Sequence, residues 1–187
     1  MADEVMDTTV LVVDDEPAVA DAYTAQLEAE YDVRTAYGGE EALELVDEAV
    51  DIVLLDRRMP TLPGDEVLDR VSTMDIDCRV VMVTAVEPDF DIVDMPFEDY
   101  LQKPVDRTAL VETIERQLSV RQYDDRLEEY LELSRKLGLL EEQKQPTELD
   151  ESKDVQQLQN RVAALKGELD ETVMQYDTAA RAFTDLV

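Results

Sequence analysis

Five short runs of apolar residues, spaced along the first two thirds of the chain, constrain its fold more than any other feature. The strongest runs lie at Thr9–Val13, Ile52–Leu55 and Arg79–Thr84, and weaker ones lie at 31–36 and 98–101. Such runs are typical of strands that are buried on both faces of a parallel sheet. Helical patterns separate the five strands, so the sequence predicts an α/β fold with a doubly wound parallel sheet.

The segments between the strands carry helix signals. Pro17 follows the acidic residues after the first strand, and a helix is predicted from there to about residue 30. Further helices are predicted at 40–49 and 65–72, and Asp106 is expected to cap a long helix. This periodicity establishes the alternation of strands and helices, but it does not fix the order of the strands.

Residues 120–187 lack any strand pattern and are predicted to form a separate helical domain after a first domain at 1–119. Two helical stretches flank a loop at 144–147, and Gly138 is expected to interrupt the first of them. The second stretch repeats every seven residues, which favours a coiled coil or a long helix hairpin over an amphipathic helix folded back onto the sheet domain. The two seams of this repeat are Val155, Val162, Leu169, Tyr176 and Phe183, and Leu158, Leu165, Thr172, Ala179 and Leu186.

The charge of the chain is strongly negative. It carries 47 acidic residues against 17 basic ones, a formal net charge of −30, and arginines outnumber lysines 12 to 5. Because such self-repulsion destabilises a compact state unless salt screens it, the composition predicts a halophilic protein; an ordinary acidic protein is the alternative. The same charge argues against direct binding of nucleic acid, whose phosphates would be repelled.

Cysteine, histidine and hydropathy exclude several further classes of protein. The single cysteine, Cys78, permits no internal disulfide and disfavours a structural zinc site. The absence of histidine excludes a Ser-His-Asp triad and any histidine phosphoacceptor on this chain. The N-terminus has no signal-like apolar core, and no apolar run is long enough to cross a bilayer. We therefore expect a soluble, cytoplasmic protein without a membrane partner.

Polar side chains follow four of the five predicted strands. Asp14 and Asp15 follow the first strand, Asp56 the third, Thr84 the fourth and Lys103 the fifth. A lone carboxylate after a strand usually caps a turn, but the carboxyl ends of parallel strands meet at one edge of the sheet. Crowded carboxylates need a neutralising cation, and oxygen ligands suit Mg²⁺. Together with a lysine and a hydroxyl, they indicate a pocket for a phosphoryl group, in which an aspartate can act as the nucleophile.

One set of residues matches a known family in order and spacing. The set consists of Asp14 and Asp15, the block Asp56-Arg57-Arg58-Met59-Pro60, Gly64, Thr84, Tyr100 and Lys103-Pro104. Over about residues 8–119 the chain thereby resembles the receiver domain of two-component response regulators. This resemblance implies a (βα)5 fold with strand order 2-1-3-4-5 and a sensor histidine kinase as the phosphodonor.

The resemblance also implies a role for each matching residue. Asp56 would be the phosphoacceptor, and Mg²⁺ would be held by Asp14 or Asp15, by Asp56 and by the backbone carbonyl of Arg58. Lys103 would contact the phosphoryl group.

A second implication of the resemblance is a conformational switch. Thr84 and Tyr100 would form the switch pair. Thr84 would turn toward the phosphoryl oxygens and vacate space, and Tyr100 would then rotate inward.

The segment between the fourth and fifth strands departs from the family pattern. A receiver usually has a full helix there, but Pro88 and Pro96 bracket only seven residues, so we expect a short or irregular helix. A standard family dimer through this face is therefore in doubt. Exposed Phe90, Ile92 or Phe97 could instead contact a partner or the tail.

The tail resembles the HalX domain, which follows receivers in haloarchaea. This resemblance rests on placement, length, helical pattern and acidic composition, and the tail has no basic recognition helix. We expect a response regulator that is not an enzyme and whose tail forms a homodimer or binds a downstream regulatory protein. The alternatives are a scaffold whose tail only dimerises, a direct DNA-binding transcription factor and a Mg²⁺-dependent phosphatase that uses Asp56. The phosphatase is disfavoured because Arg58 stands where its general acid would be.

Overall fold

The computed structural model describes residues 8–184, without side-chain detail for residues 91, 150, 151 and 175–184. The chain divides into two compact units, with the boundary between Leu118 and Ser119. Every helix within the described range is too short or too polar to span a lipid bilayer.

The first unit is built on a five-stranded parallel sheet. The strands are β1 (Thr9–Val13), β2 (Asp32–Ala36), β3 (Ile52–Leu55), β4 (Arg79–Thr84) and β5 (Asp99–Gln102). Their order in the sheet is β2-β1-β3-β4-β5, which confirms the order that the family resemblance implied. All four pairings are parallel, so the C-terminal ends of the strands lie along the same edge.

Helices cover both faces of this sheet, as the alternating pattern predicts. They are α1 (Pro17–Leu27), α2 (Gly39–Leu45), α3 (Gly64–Ser72) and the first part of α4 (Arg107–Gln143). One apolar cluster packs α1 and α4 against the sheet, and a second packs α2 and α3 against the opposite face.

Strand β1 shows how the sheet serves both cores. Val10 and Val12 lie in the cluster with α1 and α4, whereas Leu11 and Val13 lie in the cluster with α2 and α3. Successive side chains of a strand point to opposite faces, and here both faces are buried. The apolar runs in the sequence are continuous because both faces of the sheet are buried.

Helix α2 is shorter than the predicted helix at 40–49, since it ends at Leu45. The Asp47 carboxylate accepts a hydrogen bond from the backbone N–H of Ala49 at 3.0 Å, and its Oδ1 lies 2.9 Å from the Arg34 guanidinium. An aspartate that bonds to the backbone two residues ahead competes with the helical pattern. The turn at Asp47 therefore replaces the last helical turn.

The segment between β4 and β5 forms a short 3₁₀ helix, Phe90–Asp94, where the sequence predicts a short or irregular one. The Asp89 side chain accepts a hydrogen bond from the Phe90 N–H and caps it. Phe90 is 92% exposed and Val93 is 75% exposed, whereas Ile92 is partly buried. Of the three apolar residues expected on this surface, only Phe90 is fully exposed, because Phe97 packs against the core.

The second unit is a helix hairpin. It contains the rest of α4, a short α5 (Pro146–Glu151) and α6 (Lys153–Thr184). The expected interruption at Gly138 is wrong, because α4 continues through it as a 37-residue helix. One interior glycine costs only about 1 kcal/mol, which a long helix tolerates.

Two ion pairs define the direction of the hairpin. Arg126 pairs with Glu168 at 3.2 Å, and Glu129 pairs with Arg161 at 2.6 Å, so α4 and α6 run antiparallel. The buried residues of α6 belong to the predicted seams and are Val155, Leu165 and Leu169. The last seam positions, namely Tyr176, Ala179, Phe183 and Leu186, lie outside the residues whose side chains are described.

Candidate functional site: a carboxylate and lysine pocket

The carboxylates of Asp14 and Asp56 meet on the ammonium group of Lys103. The Lys103 Nζ lies 2.5 Å from Oδ2 of Asp14 and 2.9 Å from Oδ1 of Asp56. Asp14 is only 2% exposed and Asp56 only 6% exposed. Because two buried carboxylates repel each other, the shared ammonium stabilises their approach.

The environment of Lys103 acts on its pKa in two directions. Burial lowers the pKa of the ammonium and is the largest single effect. The hydrogen bonds to Asp14 and Asp56 and the charges of these two carboxylates raise it, and together they leave the pKa of Lys103 above its ordinary value. The lysine is therefore held in its charged form at neutral pH.

Each of the two carboxylates also caps the turn that follows its strand. Oδ1 of Asp14 accepts a hydrogen bond from the Glu16 N–H at 3.0 Å, and Oδ2 of Asp56 accepts one from the Arg58 N–H at 2.8 Å. Each aspartate therefore has both roles. One carboxylate oxygen caps the turn, and the other contacts Lys103. The turns fix the orientation of the oxygens that face Lys103.

Gly64 lets the loop after β3 fold back against the phosphoacceptor candidate. A Cβ atom at Gly64 would lie 2.1 Å from the backbone oxygen of Asp56, and the Gly64 N–H donates to the Arg57 carbonyl at 2.9 Å. Only glycine permits this approach. Thr61 in the same loop has a φ of 67°, a conformation that is rare for a β-branched residue.

An ion pair that the sequence analysis missed braces this loop. The Arg57 guanidinium donates from Nε and Nη2 to the Asp65 carboxylate at 3.0 to 3.2 Å. Arg57 immediately follows Asp56, and Asp65 lies in the first turn of α3. The sequence could have predicted this ion pair, because Arg57 and Asp65 are opposite charges at the two ends of a short loop.

The backbone of Val86 connects the two predicted switch residues. The Tyr100 hydroxyl donates to the Val86 carbonyl at 2.6 Å, and the Val86 N–H donates to Oγ1 of Thr84 at 3.3 Å. Thr84 is 1% exposed at the end of β4, and Tyr100 is partly buried in β5. Among the described residues no hydrogen bond joins Thr84 to Asp56, and the two switch candidates are linked to each other through the backbone of one residue, Val86.

Asp15 and Arg58 stand further from the lysine than the two paired carboxylates. Asp15 is partly buried, and the Arg58 side chain is exposed while its backbone N–H bonds to Asp56. Within the described part of the chain, no group of three or more acidic, histidine or cysteine side chains is close enough to hold a metal ion. Mg²⁺ needs only one or two carboxylates because it keeps several waters, so the all-oxygen donors of Asp14 and Asp56 fit this ion.

Tyr23, which the sequence pattern placed in an apolar stripe, lies in the core cluster with α1 and α4, and the charges of the pocket act on its phenol. It is 7% exposed, and burial raises the pKa of its phenol, while the Lys103 charge and a hydrogen bond from the Val105 backbone lower it. The charges of Asp14 and Asp56 raise it further. Nothing in the sequence distinguishes this tyrosine from an ordinary core residue.

Comparison with known families gives two consecutive matches. Residues 10–115 match the response regulator receiver domain, and residues 119–187 match the HalX domain. A protein of Haloferax volcanii with the name "Putative transcriptional regulator" is 45% identical to this chain over 160 residues. That alignment covers 85% of this chain but 27% of the relative, so the chain spans about a quarter of that protein's length.

Solved structures of receiver domains share the fold of the first unit. A CheY-like receiver domain protein from Methanospirillum hungatei is 26% identical with a TM-score of 0.58, covering 63% of this chain and 98% of that one. The response regulator TrrA from Thermotoga maritima, in complex with Mg²⁺ and beryllium fluoride, is 28% identical with a TM-score of 0.51, covering 59% and 98%. The chain belongs to the response regulators of two-component systems and consists of a receiver domain followed by a HalX domain.

Proposed function

We propose that Asp56 accepts a phosphoryl group from the phosphohistidine of a sensor histidine kinase. The observation that carries this proposal is the contact of buried Asp14 and Asp56 with the Lys103 ammonium. A bond forms between phosphorus and a carboxylate oxygen of Asp56 while the bond between phosphorus and the imidazole nitrogen breaks. The electron pair of the broken bond stays on the imidazole nitrogen, which binds a proton as it leaves.

The pocket residues would stabilise the negative charge of the phosphoryl group in two ways. When bound, Mg²⁺ supplies positive charge that stabilises the transferring group, and we assign it to Asp14, Asp15, Asp56 and the backbone carbonyl of Arg58. The ammonium of Lys103 lies 2.9 Å from the attacking carboxylate and offsets charge on the arriving oxygens.

A groove next to the pocket offers room for the phosphodonor. It has a volume of about 550 Å³, and Arg58, Met59 and Val86 are among the residues that line it. The exposed Arg58 lies in this groove two positions after Asp56, where a phosphatase of this type would carry a general acid. Since guanidinium cannot act as an acid at neutral pH, we propose that the chain receives a phosphoryl group and has no separate substrate.

Phosphorylation would be transmitted through Val86. If the Thr84 hydroxyl turns toward the phosphoryl oxygens, the Val86 N–H loses the acceptor that now lies 3.3 Å away. The carbonyl of Val86, in the next peptide group, accepts the Tyr100 hydroxyl at 2.6 Å, so a movement of the Val86 backbone would shift Tyr100 as well. To invert a resting population of 1:99, phosphoryl contacts must favour the second state by about 5.5 kcal/mol.

The output of the HalX domain is proposed to act through protein contacts. The relative from Haloferax volcanii is named for transcriptional regulation, and we propose transcriptional or related signalling control for this chain. Residues 120–187 hold 16 acidic residues against 9 basic ones, and Arg126 and Arg161 are both paired with glutamates of the hairpin, so this domain would repel DNA phosphates. Direct DNA contact is therefore the weaker alternative.

The decisive experiment is labelling of the full chain by a small phosphodonor, acetyl phosphate, with Mg²⁺, followed by intact mass measurement. The wild-type chain should gain one phosphoryl group, and Asp56→Asn should gain none. Asp51→Asn is the matched control, because Asp51 lies at the other end of the same strand and accepts a hydrogen bond from the Thr9 N–H. Labelling of Asp56→Asn at the wild-type level would refute the assignment.

A further inference from the structure

The peptide group between Arg57 and Arg58 is hydrogen-bonded at both of its polar ends. Its carbonyl, which belongs to Arg57, accepts a hydrogen bond from the Gly64 N–H at 2.9 Å. Its N–H, which belongs to Arg58, donates to Oδ2 of Asp56 at 2.8 Å. The other carboxylate oxygen of Asp56 contacts Lys103 at 2.9 Å. The orientation of this peptide group therefore helps to set the direction in which the Asp56 carboxylate faces.

The side chain of Arg57 ties the same peptide group to helix α3 a second time. Its guanidinium donates from Nε and Nη2 to both oxygens of the Asp65 carboxylate, at 3.0 to 3.2 Å. Gly64 and Asp65 are the first two residues of α3. The main chain and the side chain of Arg57 thus both bond to the first turn of one helix, and two attachments resist a rotation that a single one would permit.

The geometry and burial of this ion pair suit it to strong salt. The side chain of Arg57 is only 11% exposed, and salt screens partly buried charges much less than exposed ones. The planar guanidinium also matches the two carboxylate oxygens, which an ammonium group cannot do. Arg70 provides a contrast, because it pairs with Glu66 of the same helix at 3.7 Å and both of these side chains are more than half exposed.

We propose that the ion pair of Arg57 with Asp65 positions the Asp56 carboxylate for metal binding and phosphoryl transfer. This inference rests on the proposed function, because it concerns the same carboxylate and the backbone of the same Arg58. Arg57 is a positioning residue, since its guanidinium bonds to Asp65 and acts on Asp56 only through the Arg57–Arg58 peptide group. Without the guanidinium this peptide group has more freedom to rotate, and the Asp56 carboxylate loses part of its fixed direction.

The first test is binding of Mn²⁺ to the full chain in molar KCl, measured from the electron paramagnetic resonance signal of the free ion. Mn²⁺ accepts the same oxygen ligands as Mg²⁺, and the binding that Asp56→Asn removes defines the pocket site. Arg57→Ala should weaken this site about tenfold, and Arg57→Lys at least about threefold because the two-point contact is lost. A site of wild-type affinity in Arg57→Ala, or no binding that Asp56→Asn removes, would overturn the proposal.

The matched control for this test is Arg70→Ala, which removes an exposed arginine that pairs with the same helix. Its pocket should bind Mn²⁺ as tightly as the wild-type pocket does. All variants are compared at a temperature at which circular dichroism shows them fully folded, so that a loss of stability alone does not change the affinity. An equal loss in Arg70→Ala and Arg57→Ala would contradict a specific role for Arg57.

The second test is a double-mutant cycle with Asp65→Ala. If the two residues act as a pair, the double variant Arg57→Ala/Asp65→Ala should bind Mn²⁺ no more weakly than Arg57→Ala alone. In the same variants the NMR resonance of the Arg58 amide proton should move, because its hydrogen bond to Asp56 changes. Additive losses of affinity, or an unchanged Arg58 amide resonance in Arg57→Ala, would overturn the proposal.

Labelling by acetyl phosphate separates this inference from the proposed function. A wild-type chain that gains no phosphoryl group refutes the proposed function, whereas the Mn²⁺ affinities still decide the role of Arg57. A wild-type chain that is labelled, together with equal Mn²⁺ affinities of wild type and Arg57→Ala, refutes the positioning role alone. If both proposals hold, Arg57→Ala should be labelled several-fold more slowly than Arg70→Ala at the same Mg²⁺ concentration.

Discussion

Lys103, which follows β5, lies 2.5 Å from the carboxylate of Asp14, which follows β1, although β3 and β4 separate the two strands in the sheet. The lysine reaches across the edge of the sheet and contacts Asp56 on the way. One cation thus connects three strand ends that belong to distant parts of the sequence. The stability of the receiver domain and the chemistry of its pocket depend on the same side chain.

Replacing Lys103 by methionine should destabilise the receiver domain, because two buried carboxylates lose their shared cation. We expect a loss of about 2 to 4 kcal/mol in the free energy of unfolding in the presence of EDTA. Saturating Mg²⁺ should recover part of this loss, since the ion supplies the missing positive charge. Urea unfolding with and without Mg²⁺ measures both effects.

The matched control for this prediction is Lys136→Met. Lys136 forms an exposed pair with Glu132 one helical turn away, and such pairs contribute less than about 1 kcal/mol. An equal loss in the two variants would contradict the special role of Lys103.

Gly64→Ala should disturb both stability and the pocket. The added methyl group would lie 2.1 Å from the backbone oxygen of Asp56, so the loop or the strand end must move. We expect a loss of at least about 2 kcal/mol and reduced phosphoryl labelling of Asp56. Gly38→Ala should change stability by less than about 1 kcal/mol, because a Cβ atom at Gly38 meets nothing within 4 Å. Thermal unfolding of the two variants makes the comparison.

Tyr31→Phe should stabilise the receiver domain near neutral pH. Tyr31 is 3% exposed, and its hydroxyl has no hydrogen-bond partner among the described residues. Removing an unpaired buried hydroxyl should add about 1 kcal/mol. Tyr37→Phe is the control, since the exposed Tyr37 hydroxyl donates to Asp21.

Tyr31→Phe should also change how the stability of the receiver domain depends on pH in the alkaline range. Burial, helped by the charges of Glu115 and Glu30, raises the pKa of Tyr31 to about 12 from 10.0. The folded state therefore keeps this proton where the unfolded state loses it, and stability falls as pH rises from 10.0 toward about 12. Tyr31→Phe should show a smaller fall than wild type in urea unfolding over this range. An identical slope in the two proteins would refute the assignment.

Withdrawal of salt should destabilise the whole chain. The formal net charge of −30 creates self-repulsion that molar salt screens over about 3 Å and 0.1 M salt over about 10 Å. We expect the melting temperature, followed by circular dichroism, to fall steadily from molar to dilute KCl. A constant melting temperature would contradict adaptation to high salt.

The fold was predictable because its signals are local and repeat along the chain. Buried parallel strands leave continuous apolar runs, and parallel strand ends must meet at one edge. That rule predicts that the pair Asp14-Asp15, Asp56 and Lys103 lie close together, but it does not choose between Asp14 and Asp15 as the residue that contacts Lys103. The family resemblance supplied the strand order, which periodicity could not.

Other contacts could not be predicted because they depend on backbone positions that no residue type announces. The backbone of Val86 links Thr84 to Tyr100 through the N–H and the carbonyl of that residue, so neither contact uses the Val86 side chain. The heptad seam likewise could not distinguish a hairpin from an intermolecular coiled coil. The ion pairs of α4 with α6 show that the chain folds back on itself.

The side chains of β1 alternate between two apolar clusters, so the length of this strand cannot change by one residue. Adding or deleting one residue inside β1 would send Val10 and Val12 to the wrong face and would rotate Asp14 away from Lys103. A change of length within β1 would therefore disrupt both apolar clusters and the pocket at once. The alternation of side chains along β1 thus fixes both the packing of the interior and the position of Asp14 in the pocket.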